Sequence, residues 1–158
     1  MSNDDRLAQK LLTAGTISND RAWQLPEQIR TWKVNKKQYL SEKNIIDGLI
    51  NMSEGEWGKA EKNFCKAASN SKSPYIIYLF AARAAHAMNS LDKSNEYLRF
   101  AHNHEPNAGP AIGLTQAELQ LNQKQIVQAL ATLNNLQEKW PEHLLTKKML
   151  LEAYTALN

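Results

Sequence analysis

The chain has 158 residues, of which 42% are apolar, so it is long and apolar enough to fold as one domain with a core of ordinary size. Its formal charge of +3, from 19 basic and 16 acidic residues, is too small to indicate a nucleic-acid partner. The single cysteine, Cys65, excludes an intrachain disulfide and fits a reducing compartment, and no run of about eighteen apolar residues is present to span a bilayer.

Residues 1–38 show no internal period and are expected to form an N-terminal extension. The pattern predicts a short helix over 6–14 that ends at Gly15, followed by a loop over 16–20. Pro26 is expected to begin a basic helix, because proline is favoured in the first turn of a helix.

That basic helix, over 30–43, carries five cations interleaved with two aromatic side chains, Trp32 and Tyr39. The cations are Arg30, Lys33, Lys36, Lys37 and Lys43. This stretch is either the solvated face of a helix or a weak contact with a membrane surface or an acidic partner. We favour the solvated face.

Three columns of residues recur along the rest of the chain with a common period. The first column consists of small residues expected where two helices cross, Gly48, Ala82 and Ala117, and continues at Leu151. The three spacings between these four residues are 34, 35 and 34. Larger apolar residues repeat at 34 and 35, as Phe64, Leu98 and Leu133. The third column contains the helix-ending prolines Pro74, Pro106 and Pro141, of which the first is about two residues out of phase. This is the period of tetratricopeptide repeats.

The period predicts an all-α fold, a right-handed α-solenoid of about three tetratricopeptide-type hairpins plus a C-terminal helix. The repeat domain is expected over 39–158, with repeats at about 41–74, 75–108 and 110–143 and a partial repeat at 144–158. Helices are expected over 40–53, 56–69, 75–88, 91–104, 109–122, 125–139 and 143–156.

The turn inside the first hairpin reads Gly55-Glu56-Trp57, where glycine permits the positive φ of a helix C-terminus. The second and third hairpins carry Asn89-Ser90-Leu91 and Gln123-Lys124-Gln125 in its place. The first turn lacks the spacing of a phosphate-binding loop.

No pattern of catalytic or metal-binding residues stands out, and we expect neither enzyme activity nor a metal site. His102-Asn103-His104-Glu105 is interpreted as an exposed helix end, because residues two apart on a helix do not face the same way. Cys65 is interpreted as a half-buried, unreactive thiol.

The first helices of stacked hairpins line a concave face, so their non-packing positions are the candidates for binding a partner. These positions are Ile45, Leu49, Met52, Leu79, Arg83, His86, Leu114, Glu118, Leu121, Lys148 and Glu152. Arg83 is the strongest candidate, because its planar fork suits carboxylates, although a structurally paired arginine is an equal alternative. Glu118 either bonds within the stack or meets a partner's backbone.

Several stretches resemble one set of tetratricopeptide proteins, the HemY family. They are residues 78–85 (YLFAARAA) and 114–121 (LTQAELQL), the latter followed by 128–133 (QALATL), together with 55–57 (GEW) and 60–62 (AEK). Members of that family carry two transmembrane helices ahead of the repeats, and this sequence contains none. A basic stretch such as 30–37 is expected on the cytoplasmic side of a membrane helix.

The resemblance implies a scaffold that organises haem or porphyrin-biosynthesis enzymes through the concave groove, in the cytoplasm at the inner face of the bacterial inner membrane. The alternative is a free-standing soluble adaptor or secretion chaperone. No cofactor is required by either function, but haem or porphyrin binding by His86 or by the histidines at 102–104 is a third possibility.

Overall fold

The computed structural model describes residues 3–15 and 19–157, and of residues 3, 4, 8, 11 and 19–26 it describes the backbone alone. Within these ranges every regular element is an α-helix, which confirms the expected all-α fold. The helices are α1 (Asn3–Thr13), α2 (Asn19–Ser53), α3 (Trp57–Ala68), α4 (Pro74–Ala87), α5 (Leu91–His104), α6 (Gly109–Asn122), α7 (Ile126–Lys139) and α8 (Leu144–Leu157).

Helices α3 to α8 begin and end within one residue of the predicted bounds. The short first helix is also present, and Gly15 follows it with φ of +67°. The expectation that was wrong concerns Pro26, because α2 begins at Asn19 and runs through it. No glycine or proline occurs over 27–47, so nothing separates the basic helix from the first repeat helix, and the two form one helix of 35 residues. The predicted loop over 16–20 lies outside the described residues at 16–18, and it is wrong at 19–20, which already belong to α2.

Helices that are neighbours in sequence pack against one another, an order compatible with a helical-repeat solenoid. Gly48 of α2 lies so close to Phe64 of α3 that an added Cβ would meet the ring at 2.6 Å. Ala82 and Ala117, the next members of the small-residue column, are completely buried. Leu151, the fourth member, is 67% exposed on α8, the last described helix.

The turns inside the three hairpins share one backbone feature. Gly55, Asn89 and Lys124 all have positive φ, at 78°, 58° and 60°. Their spacing of 34 and 35 residues matches that of the apolar column. The period therefore extends to the backbone of the turns, and in the third hairpin a lysine takes the conformation that glycine takes in the first.

A hydrogen-bonded network joins the first hairpin to the second. The Tyr97 hydroxyl of α5 donates to Glu61 Oε1 of α3 at 2.7 Å, and Lys93 Nζ lies 3.2 Å from the same oxygen. The half-buried Cys65 thiol donates to the Tyr97 oxygen at 3.3 Å. Burial, with the bonds to Cys65 and Glu61, raises the pKa of Tyr97, so the phenol stays protonated and holds the buried carboxylate.

The basic part of α2 is a solvent-exposed helical surface. Trp32 and Tyr39 are 59% and 65% exposed, and Lys36 Nζ lies 4.9 Å from the centre of the Trp32 ring. None of the described helices combines the length and the apolarity needed to cross a bilayer.

Candidate partner-binding groove

A groove of about 530 Å³ is lined by α4 and α6, the first helices of the second and third hairpins, and by α8. Each helix contributes side chains that lie one or two turns apart on one of its faces. Its apolar residues are Ile76, Leu79, Phe80, Ala111, Leu114, Leu145 and Met149. Its polar residues are Arg83, Thr115, Glu118 and Glu152.

An ion pair links the two walls of this groove. Arg83 Nη2 donates to Glu118 Oε2 at 2.8 Å and to Thr115 Oγ1 at 3.2 Å. The guanidinium carbon lies 5.9 Å from the centre of the Phe80 ring. The structure thus has the paired arginine, and Glu118 bonds within the stack. Because Glu118 already balances its charge, Arg83 is less available to bind a partner's carboxylate, and the ion pair joins α4 to α6.

Five of the eleven predicted groove positions line this groove together: Leu79, Arg83, Leu114, Glu118 and Glu152. They come from three helices, α4, α6 and α8, whose first residues follow one another at intervals of 35 in the sequence. The shared period brings them together, because it places equivalent positions of successive first helices side by side.

The other six positions lie elsewhere. On α2, Ile45 and Met52 pack against the buried cluster around Phe64, and Leu49 is 41% exposed. On α6, Leu121 packs against the cluster around Leu133. The last two, His86 on α4 and the exposed Lys148 on α8, are not among the residues that line the groove.

Sequence reasoning missed half of the groove wall on α4 and α6. The face is centred among residues 76, 79, 80 and 83 on α4, with the equivalents 111, 114, 115 and 118 on α6. His86 and Leu121 lie roughly 70° further round their helices at 100° per residue. The helix period could have identified Ile76 and Ala111, because they lie three residues before the predicted positions Leu79 and Leu114. Residues three apart share a face of a helix.

A second cleft, of about 670 Å³, lies between α5 and α6 and reaches the start of α7. His86 and His102 both line it, and His86 Nε2 lies 3.2 Å from the carbonyl oxygen of Leu119. His104, at the exposed end of α5, instead has its Nδ1 at 2.7 Å from the Phe100 carbonyl oxygen. In the described part of the chain no group of three or more His, Cys, Asp and Glu side chains is placed to hold a metal ion.

A comparison with known protein families assigns the chain to one of them. The model described as HemY protein N-terminus matches residues 8–89, which is more than half of the sequence. The chain belongs to the HemY family. The matched range includes α2, α3 and the Arg83 side of the groove on α4, and it ends before the Glu118 side on α6.

Individual relatives agree with this assignment. The proteins called Protein HemY in Escherichia coli strain K12 and in Shigella flexneri are each 27% identical over 125 residues, 79% of this chain. The chain spans 31% of the length of these HemY relatives. A probable cytosol aminopeptidase of Aromatoleum aromaticum is 65% identical over a stretch of 26 residues, 5% of that protein. No solved structure matches the chain.

Proposed function

We propose that the chain is a non-catalytic, HemY-type scaffold that binds enzymes of haem or porphyrin biosynthesis in the groove across α4, α6 and α8. One observation carries the proposal: five positions predicted from the repeat pattern to bind a partner line one open groove, across which the ion pair of Arg83 and Glu118 joins α4 to α6. Family membership supports the association with haem biosynthesis and favours this function over a free-standing secretion chaperone.

The lining of the groove indicates what kind of segment it would hold. Ile76 and Leu145, at opposite ends, are 45% and 48% exposed. Between them the Arg83 and Glu118 side chains stay partly accessible, at 32% and 44%. Burying the apolar walls stabilises a complex, whereas the balanced ion pair adds no net charge and Glu152 leaves a single negative charge on α8. The expected ligand is therefore an amphipathic helix with an apolar stripe and little charge on that stripe.

The proposal also includes a location. The exposed basic part of α2 would face the cytoplasmic surface of the inner membrane, where anionic headgroups attract lysine and arginine. In that arrangement the concave groove would hold its enzyme partners close to the membrane.

Arg83→Glu tests the groove in a pull-down from bacterial lysate, with captured proteins identified by mass spectrometry. The change replaces the ion pair by two carboxylates that repel each other across the groove, so we expect capture of haem-pathway enzymes to fall by at least about 10-fold. Capture of those enzymes at the wild-type level would contradict the groove assignment.

Two control variants separate binding from folding. Lys62→Glu makes the same change of charge on the exposed surface of α3 and is expected to capture partners normally. The double variant Arg83→Glu with Glu118→Arg restores an ion pair with reversed polarity, and we expect it to regain most of the capture, because the proposed role of the pair is to join α4 to α6.

A further inference from the structure

The second cleft exists because the second junction between hairpins is more open than the first. Helices α3 and α4 pack closely along their length, whereas α5 and α6 contact each other much less. The resulting cleft of about 670 Å³ falls within the size range of small-molecule pockets.

The repeat register shows which residues open it. In the first junction the Tyr97 ring of α5 reaches back to Glu61 and Cys65 of α3 and fills the space between hairpins. Thirty-five residues after Tyr97, the third hairpin has Thr132. Thr132 is shorter than tyrosine and does not line the cleft, but its hydroxyl donates to Gln120 Oε1 at 2.9 Å, and Gln120 is part of the cleft wall.

The chemistry of the lining differs from that of the first junction as well. Thirty-four residues after Glu61 and Cys65 stand Asn95 and Arg99, and both line the cleft. The carboxylate of the first junction is thus replaced by an amide, and the thiol by a cation. No Asp or Glu occurs among the described residues that line the cleft.

The floor of the cleft is apolar and its rim is polar. Leu98, Ile112 and Leu119 form the floor and are at most 7% exposed. Arg99 and His102 stand exposed at the rim, and within the described residues no carboxylate pairs with Arg99. A ligand with an apolar body and a negative group would bury its body on the floor and place its charge at Arg99.

We propose that the cleft between α5 and α6 is a binding site for a small amphipathic organic anion, a molecule with an apolar body and a carboxylate, sulfonate or phosphate group. This site is separate from the groove on α4, α6 and α8, and it does not depend on partner capture. In this proposal Arg99 supplies the charge contact, and the short side chain of Thr132, behind the lining residue Gln120, leaves the space open.

Two fluorescent probes of similar shape test the charge. Anilinonaphthalene sulfonate carries a negative group, and N-phenyl-1-naphthylamine is its uncharged counterpart. We expect saturable binding of both probes to the wild-type chain. Arg99→Gln should lower the affinity for the anionic probe about 5- to 10-fold and change the affinity for the neutral probe less than about 2-fold. Lys148→Gln, which removes an exposed cation from α8 outside the cleft, should leave both unchanged.

Thr132→Tyr tests the space, because it introduces at the second junction a tyrosine equivalent to Tyr97, whose ring fills the first junction. We expect this variant to lose the saturable binding of both probes and to keep its helical circular-dichroism spectrum. Arg99→Gln changes only an exposed side chain, so the charge test stands even where Thr132→Tyr does not fold. Absence of saturable binding to the wild-type chain, or anionic-probe affinity unchanged in Arg99→Gln, would overturn the proposal.

Discussion

Phe64→Ala is expected to lower the free energy of unfolding by about 3 to 5 kcal/mol, as measured by urea denaturation. Among the residues whose side chains are described, Phe64 is the largest that is completely buried, and it packs against Gly48 and stacks on Phe80 at a centroid distance of 5.5 Å. The ring therefore joins α2, α3 and α4. Removing it leaves a cavity between three helices that are fixed by other contacts and cannot collapse to fill it.

The matched control is Val127→Ala on α7, an apolar truncation at a side chain that is 72% exposed. Its effect is expected to stay within about 0.5 kcal/mol, because little apolar surface is buried there. A loss below about 1 kcal/mol for Phe64→Ala would show that the α2–α3–α4 core is packed differently from the structure described here.

Gly48→Leu is expected to lower the free energy of unfolding by about 2 kcal/mol, although leucine is the better helix former. A Cβ at this position would lie 2.6 to 3.0 Å from three atoms of the Phe64 ring. Moving a completely buried ring costs about 3 kcal/mol, whereas the gain in helix propensity is below about 1 kcal/mol. Urea denaturation measures the net effect.

Combining the two changes tests whether Gly48 and Phe64 occupy one shared space. In the double variant Gly48→Leu with Phe64→Ala, the new leucine should fill part of the space left by the ring, so the loss should be at least about 1 kcal/mol smaller than the sum of the single losses. Gly58→Ala is the control: the nearest atom to its Cβ would be Met88 Sδ at an ordinary 3.6 Å, and a small gain in stability is expected. Strict additivity in the double variant would contradict the contact.

The period of the sequence was sufficient to predict the repeat helices, because each of the three columns marks a helix crossing or a helix end. Gly48, Ala82 and Ala117 are buried as the crossing positions require. The length of α2 was not predictable from Pro26, since a proline can stand inside a helix as well as begin it, and the chain after it contains no residue that stops a helix.

The groove was predictable only in part. Periodicity identifies which helices share a face, and it placed Leu79, Leu114 and Glu152 correctly beside one another. The centre of that face and the pairing of Arg83 with Glu118 depend on how far each hairpin rotates against the next, and no single sequence pattern encodes that rotation. The cleft between α5 and α6 has the same origin, because these two helices pack much less closely than α3 and α4 do.

Site-specific photocrosslinking tests the central claim most directly, with a photoreactive phenylalanine placed either at Leu145 in the groove or at Val127 on the exposed surface of α7. A scaffold that binds through the concave face should crosslink haem-pathway enzymes from position 145 and not from position 127. Crosslinks to those enzymes from position 127 alone, or equally from both positions, would contradict it.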